Sequence, residues 1–276
     1  MRSLGGRARR GYVDLPWGQV HYRHGGDADA PAVLILHQSP LSSATYEAVV
    51  EPLVRRGLRV VAPDTPGFGM SDPTPAPWTI PEYAAAVWAF ADEVGLGRVH
   101  LLGQHTGAVI AVEAAFGRPE RVDGLVLQGL PLYDDAERDR KRTGYAPPYE
   151  PAADGSHVRV IRDRVTGLYP RLPVAETDRQ VIEYLQTGPD YATAYRAVFD
   201  HVVDTDRLDT FPVLLLHGGD DLVDRMTPQV TAALPHARLV TIPGGTDFVA
   251  DEQPEAFADE LARWVLREPA SAGGAR

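Results

Sequence analysis

The sequence contains no cysteine. Disulfides, thiolate metal centres and a cysteine nucleophile are therefore excluded outright, and a cytoplasmic location is expected. Lysine is almost absent too: Lys141 is the single one, and every other basic side chain apart from histidine is arginine. The net charge of −11 argues against nucleic acid as a partner, because holding a phosphate backbone needs clustered cations. No apolar run approaches the roughly 18 residues of a membrane span, so no membrane partner is expected. The first ten residues are basic but lack the apolar stretch of a secretion signal. Residues 1–10 and 269–276 are expected to be flexible tails. There is no His-x-x-x-His spacing and no internal repeat, so neither a metal nor any other cofactor is expected.

What is present is a chain of 276 residues with 44% apolar content, enough for one large α/β domain with an insertion. Short apolar runs alternate with helical patterns. Strands are expected at Gly11–Leu15, Gln19–Arg23, Ala32–His37, Arg59–Asp64, Val99–Gly103, Val122–Gln128, Val213–His217 and Leu239–Ile242. Helices are expected between them, one capped by Thr79 with Pro81 in its first turn and a closing one at Pro254–Leu266. Such alternation implies a mostly parallel, doubly wound sheet. Residues 133–210 break the rhythm. Asp134–Gly155 is charged and carries Pro147, Pro148 and Pro151, and reads as a mobile loop. Helical stretches follow at His157–Leu168, Glu176–Leu185 and Tyr191–Val203. This insertion stands where a lid would sit.

The segment Gly103-Gln104-His105-Thr106-Gly107 is the most informative. It closes an apolar strand and opens a helical run, with glycines on both sides of a central residue that must stand clear of a sharp turn. In the usual Gly-x-Ser-x-Gly version the central residue is a serine nucleophile; here it is an imidazole.

Taken in order, the segments resemble the α/β-hydrolase superfamily with a helical cap. His37-Gln38-Ser39-Pro40 is similar to its His-Gly-x-Pro turn, Asp64 to Ser71 to its Asp-x-x-Gly-x-Gly-x-Ser loop, and Gly103–Gly107 to its elbow. Gly218-Gly219-Asp220-Asp221 is similar to the turn bearing the catalytic acid, which gives Asp221 that place. Gly244-Gly245-Thr246-Asp247-Phe248 is similar to the segment that supplies the catalytic histidine. The resemblance implies a core of residues 11–132 and 211–268 and a cap of residues 133–210. It also marks three departures. His105 stands at the nucleophile position, Asp247 at the histidine position, and Gln38 replaces the oxyanion-turn glycine. The acyl-enzyme cycle of the family needs an activated hydroxyl beside an imidazole and does not carry over.

The remaining chemistry is that of a histidine facing carboxylates. His105 is the expected general acid or base, with Asp247 as its orienter and Asp221 as a second carboxylate. The resemblance puts the oxyanion donors at the backbone N–H groups of Ser39 and Thr106. Gln38, Gln104 and His37 are further candidates for contact with substrate, and His217, at a strand end near Asp221, is the reserve base. The expected substrate is a small, largely apolar molecule undergoing elimination, cyclisation, isomerisation or hydrolysis by His105-activated water. Two other readings stay open: a hydrolase of an ester, amide or lactone, and a non-catalytic binder that keeps the fold. With no serine at the elbow, a fluorophosphonate probe is expected to leave the protein unlabelled on intact-mass analysis. Stoichiometric labelling would overturn the alignment of the elbow.

Overall fold

A computed structural model describes residues 7–221 and 226–267. The expectations for residues 1–6 and for the C-terminal tail lie outside the described residues. The strands are β1 (Arg9–Leu15), β2 (Gly18–Gly25), β3 (Ala32–Leu36), β4 (Arg59–Pro63), β5 (Val99–Gln104), β6 (Val122–Gln128), β7 (Val213–Gly218) and β8 (Arg238–Ile242). They form one eight-stranded sheet in the order β1-β2-β4-β3-β5-β6-β7-β8. The β1–β2 and β2–β4 pairs are antiparallel, and all pairs from β4 to β8 are parallel.

Two helical layers cover the sheet. On one face pack α2 (Ile80–Glu93) and α3 (Thr106–Gly117), and on the other α1 (Glu47–Arg55) and α10 (Pro254–Val265). Strands β3, β5 and β7 are buried along their whole length, which is why they read as unbroken apolar runs rather than alternating ones. Helix α2 starts at the expected place, where Thr79 and Glu82 form a capping box.

Between β6 and β7 lie α4 (Asp135–Gly144), α5 (Ser156–Leu168), α6 (Val174–Thr187) and α7 (Thr193–Asp200); α8 (Thr227–Ala233) and α9 (Val249–Glu252) complete the set. The expected mobile loop is thus corrected: its first half is helix α4. This helix buries no residue. It is held by an Asp134/Glu137 capping box and by Asp135–Arg138 and Asp139–Arg142 pairs three residues apart, so hydrophobic periodicity could not reveal it. The tail boundary is corrected as well. Arg9 and Arg10 belong to β1, opposite His24 and Arg23, because an edge strand accepts charged side chains on its solvent face.

The loop after β4 is organised by Asp64, whose buried carboxylate accepts from the Ser43 N–H at 2.8 Å, the Met70 N–H at 2.9 Å and His21 Nδ1–H at 2.8 Å. Burial by itself raises a carboxyl pKa, but these donors win and hold Asp64 down at about 2. Because the folded value lies below the ordinary 3.8, its stabilisation is present above that value and is lost as pH falls through about 2. Asp64→Asn is expected to lower the urea unfolding free energy at neutral pH by about 2 kcal/mol, with the difference from the parent vanishing as acid is added.

Candidate active site

The elbow is built by close backbone approach. A Cβ on Gly103 would stand 2.2 Å from the Gly107 carbonyl oxygen, and one on Gly107 would stand 2.1 Å from the Leu36 carbonyl oxygen. Only hydrogen fits at either position, so β5 can turn directly into α3 while touching β3. His105 sits between them at φ +48° and ψ −108°, a left-handed conformation that costs a non-glycine residue about 1–3 kcal/mol and clusters at functional sites. Its N–H donates to the Gln128 carbonyl at the end of β6, at 2.9 Å, which fixes the turn against the neighbouring strand.

The turns after β7 and β8 nest in the same way. A Cβ on Gly218 would lie 2.3 Å from the Gly245 carbonyl carbon, and the Asp220 N–H donates to the Gly245 carbonyl at 2.9 Å. The second turn is locked by Glu252, which accepts from the Thr246 N–H at 2.9 Å and from the Thr246 hydroxyl at 2.8 Å. Asp221 and Asp247 thereby reach the elbow together. His105 Nε2 lies 3.1 Å from Asp221 Oδ1 and 3.3 Å from Asp247 Oδ1. Both carboxylates are buried, while the imidazole keeps a small exposed fraction of 13%, enough for contact with a small molecule.

Asp221 Oδ1 accepts from Nε2, and Asp247 Oδ1 stands at ion-pair distance from the same nitrogen. In the neutral imidazole Nε2 therefore carries the hydrogen, and the lone pair is left on Nδ1. Burial works against a charged imidazole, but Asp221 and then Asp247 outweigh it and raise the His105 pKa. Among the described residues, this is the one histidine–carboxylate cluster whose donor atoms, all within 4.8 Å, could hold a divalent cation.

The other expected site residues are placed as follows. Thr106 opens α3, where first-turn N–H groups have no partner within the helix. Ser39 and Gln38 are buried in the turn after β3, and Ser39 Oγ and Gln38 Nε2 meet no partner among the described residues. His37 is structural. Its Nδ1–H donates to the Gln38 carbonyl at 2.9 Å and its Nε2 accepts from the Thr65 N–H at 2.8 Å, so both nitrogens hold the turn. Burial lowers its pKa and keeps it neutral. His217 bonds Thr241 on β8 at 3.1 Å and is not part of the His105 cluster.

Gln104 is corrected from substrate contact to support. It lies fully buried beneath the elbow, donating from Nε2 to the Asp247 backbone carbonyl and accepting from the Tyr46 hydroxyl at 3.2 Å. Gln128 donates to the same carbonyl at 3.0 Å and shares Tyr46 at 3.3 Å. Gln128 and Tyr46 were not expected at the site. The one signal in the sequence is that two adjacent apolar strands each end in glutamine, in register with one another.

The insertion helices close over this arrangement. Tyr195 donates to the Ser39 carbonyl at 2.7 Å, Arg179 bonds Asp251 at 3.0 Å, and Arg171 pairs with Asp220 at 2.7 Å. Tyr169 packs edge-on against Phe248, with ring centres 5.0 Å apart. A cavity of about 220 Å³ at this seam is lined by Leu168, Tyr169, Arg171, Thr246 and Asp247.

Known proteins give matching results. A family profile described as alpha/beta hydrolase fold matches residues 31–151. The chain is 28% identical to haloalkane dehalogenase 2 of Mycobacterium tuberculosis, over 90% of this chain and 91% of that protein. It is 41% identical to 2-hydroxy-6-oxononadienedioate/2-hydroxy-6-oxononatrienedioate hydrolase 2 of Pseudomonas putida, over 45% of this chain and 43% of that one. Among solved structures, a hydrolase from Pseudomonas aeruginosa superposes with a TM-score of 0.77 at 22% identity, over 94% of this chain and 99% of the other. Epoxide hydrolase A from Mycobacterium thermoresistibile does so with a TM-score of 0.74 at 21% identity, over 94% and 98%.

The raised pKa gives a direct test. In an NMR titration the His105 ring is expected to have its midpoint above 6.5, and Asp221→Asn is expected to bring that midpoint down. The linked stability has a definite sign. It is complete below about 6.5 and is lost as pH rises through the folded value, so chemical denaturation should show the gap between parent and Asp221→Asn closing at alkaline pH.

Proposed function

From the premise that this chain has the α/β-hydrolase fold, we propose that it is an enzyme that moves protons with His105 rather than attacking with a hydroxyl. Residues 9–132 and 211–267 form its core. Helices α4–α7, within residues 133–210, act as the cap over a small, largely apolar organic substrate.

The observation that carries this reading is the pair of buried carboxylates on His105 Nε2, at 3.1 and 3.3 Å. They orient the ring, leave Nδ1 as the basic nitrogen and stabilise the imidazolium that forms when it takes a proton. Asp221 and Asp247 thus act as orienters, and His105 returns the proton as the general acid. Such a group supplies about 100- to 10,000-fold acceleration. The backbone N–H groups of Thr106 and Ser39 would hold a developing enolate or oxyanion, each donor being worth about 3 kcal/mol. Elimination, cyclisation and isomerisation of an activated carbonyl compound all need these two functions together.

A second reading is favoured by the similar proteins, a dehalogenase and a hydrolase. In it, His105 Nδ1 deprotonates a water that attacks the substrate directly, with no covalent intermediate.

The test is a panel of esters, lactones and β-hydroxy carbonyl compounds incubated in ¹⁸O-labelled water and followed by mass spectrometry. His105→Ala is expected to abolish turnover while ligand affinity stays within about tenfold, as for a group that acts mainly in the transition state. Product without ¹⁸O indicates proton transfer alone, and ¹⁸O in the product indicates water attack. Turnover that survives His105→Ala sinks both readings.

A further inference from the structure

The edge hairpin turns two arginines onto one face of the sheet. Arg10 of β1 and Arg23 of β2 stand directly opposite each other in the antiparallel register, and like charges so placed repel. One carboxylate oxygen serves both: Glu47 Oε2 accepts from Arg23 Nε–H at 3.0 Å and from Arg10 Nη2–H at 3.5 Å. Asp64 lies farther off, 3.9 Å from Arg23 Nη1, and its oxygens are taken by Ser43, Met70 and His21. Arg23 is only 8% exposed, and its Nη1 donates to the Ser43 hydroxyl at 2.7 Å. Its Nη2 makes no hydrogen bond to the described residues, yet stays open to solvent.

These two arginines line a cavity of about 510 Å³ between the hairpin, the loop after β4 and helix α6. That is more than twice the volume at the seam beside Asp247, and no member of the His105 cluster lines it. Three large apolar side chains from three separate elements stand at it: Tyr12 of β1, 49% exposed, Met70 of the loop, 56%, and Ile182 of α6, 62%. Exposed apolar residues scattered singly are ordinary, but a group of them around a concave site marks a binding surface. Met70 is held there by Gln186 of α6, whose Nε2 lies 3.2 Å from the Met70 sulfur. The other acids lining the cavity leave the surplus of positive charge in place. Asp178 pairs with Arg162, and burial pushes the Glu183 carboxyl up to about 7, so much of it is uncharged at neutral pH.

We propose that this cavity is a second ligand site, for an amphiphilic organic carboxylate: its oxygens bind Arg23 Nη2 and Arg10, and its apolar body lies against Tyr12, Met70 and Ile182. A carboxylate between the two guanidiniums relieves the cross-strand repulsion and supplies the acceptor that Nη2 lacks. The site stands apart from the chemistry of His105 and is tested through binding.

Calorimetry with sodium alkanoates from hexanoate to decanoate, each below its self-association concentration and paired with its primary amide, reads the head-group preference. The full-length parent and His105→Ala are both expected to bind at least one acid about tenfold or more tighter than its amide. Arg10→Met and Arg23→Met are each expected to lose most of that preference, and Ile182→Ser is expected to weaken acid and amide alike. Circular dichroism checks folding, and if Arg23→Met fails to fold, the exposed Arg10→Met carries the decision. Methyl-labelled methionine reads the location without disturbing the site. The chain has three methionines, and the NMR signal of exposed Met70 is expected to shift saturably with the acid while that of buried Met226 stays in place. No binding of any acid by the parent, equal binding of acid and amide, a preference that survives Arg10→Met, undiminished affinity in Ile182→Ser, or an unmoved Met70 methyl overturns the assignment. Loss of acid binding in His105→Ala places the acid at the His105 centre and overturns it as well. Acid binding at Met70 with no turnover found for His105 leaves this site standing and sinks the catalytic reading alone.

Discussion

Two buried carboxylates share one nitrogen of one imidazole, and most of the architecture around the sheet's carboxyl edge exists to make that possible. Each acidic group comes from a different strand end, and the ring from a third. Left alone, three such groups would spread apart and hydrate. They are brought together by backbone contacts too close for any side chain: Gly103 against Gly107, Gly107 against Leu36, Gly218 against Gly245. The cost of burying negative charge is offset by the ring between the carboxylates, which is why the His105 pKa moves upward although its burial pulls the other way.

The imidazole stands on the elbow between β5 and α3, and the two carboxylates reach it from the turns after β7 and β8. Nε2 is committed to the acids, which leaves the lone pair of the neutral ring on Nδ1. The backbone N–H groups of the elbow and of the turn after β3 depend on the chain path rather than on side-chain identity, so they persist whichever residue occupies position 105.

The sheet was legible in the sequence because strands buried on both faces write themselves as apolar runs, as at Ala32–Leu36 and Val213–Leu216. The elbow was legible because close approach demands glycine at fixed spacing. Helix α4 was not, since it buries nothing and is held by a cap and local ion pairs. Nor was the extension of β1 through Arg9 and Arg10, where pairing with β2 supplies the stabilisation and composition points the wrong way. At the site, the family resemblance pointed to His105, Asp221 and Asp247, and the structure brings these three side chains together. The role of Gln104 was not legible, because spacing places a strand's last residue without fixing which way its side chain leaves the turn. Tyr46 and Gln128 come from elements without a motif, and only the folded sheet brings them under Asp247.

The grip of Gln104 and Gln128 on position 247 is applied to the main-chain carbonyl, not to the carboxylate. The socket is therefore indifferent to its occupant. Any residue at that position inherits the same anchorage, because the two glutamines bond a group that every residue carries. The mount and the chemical group are thereby separate: the side chain at 247 can be changed while the floor that aims it stays in place.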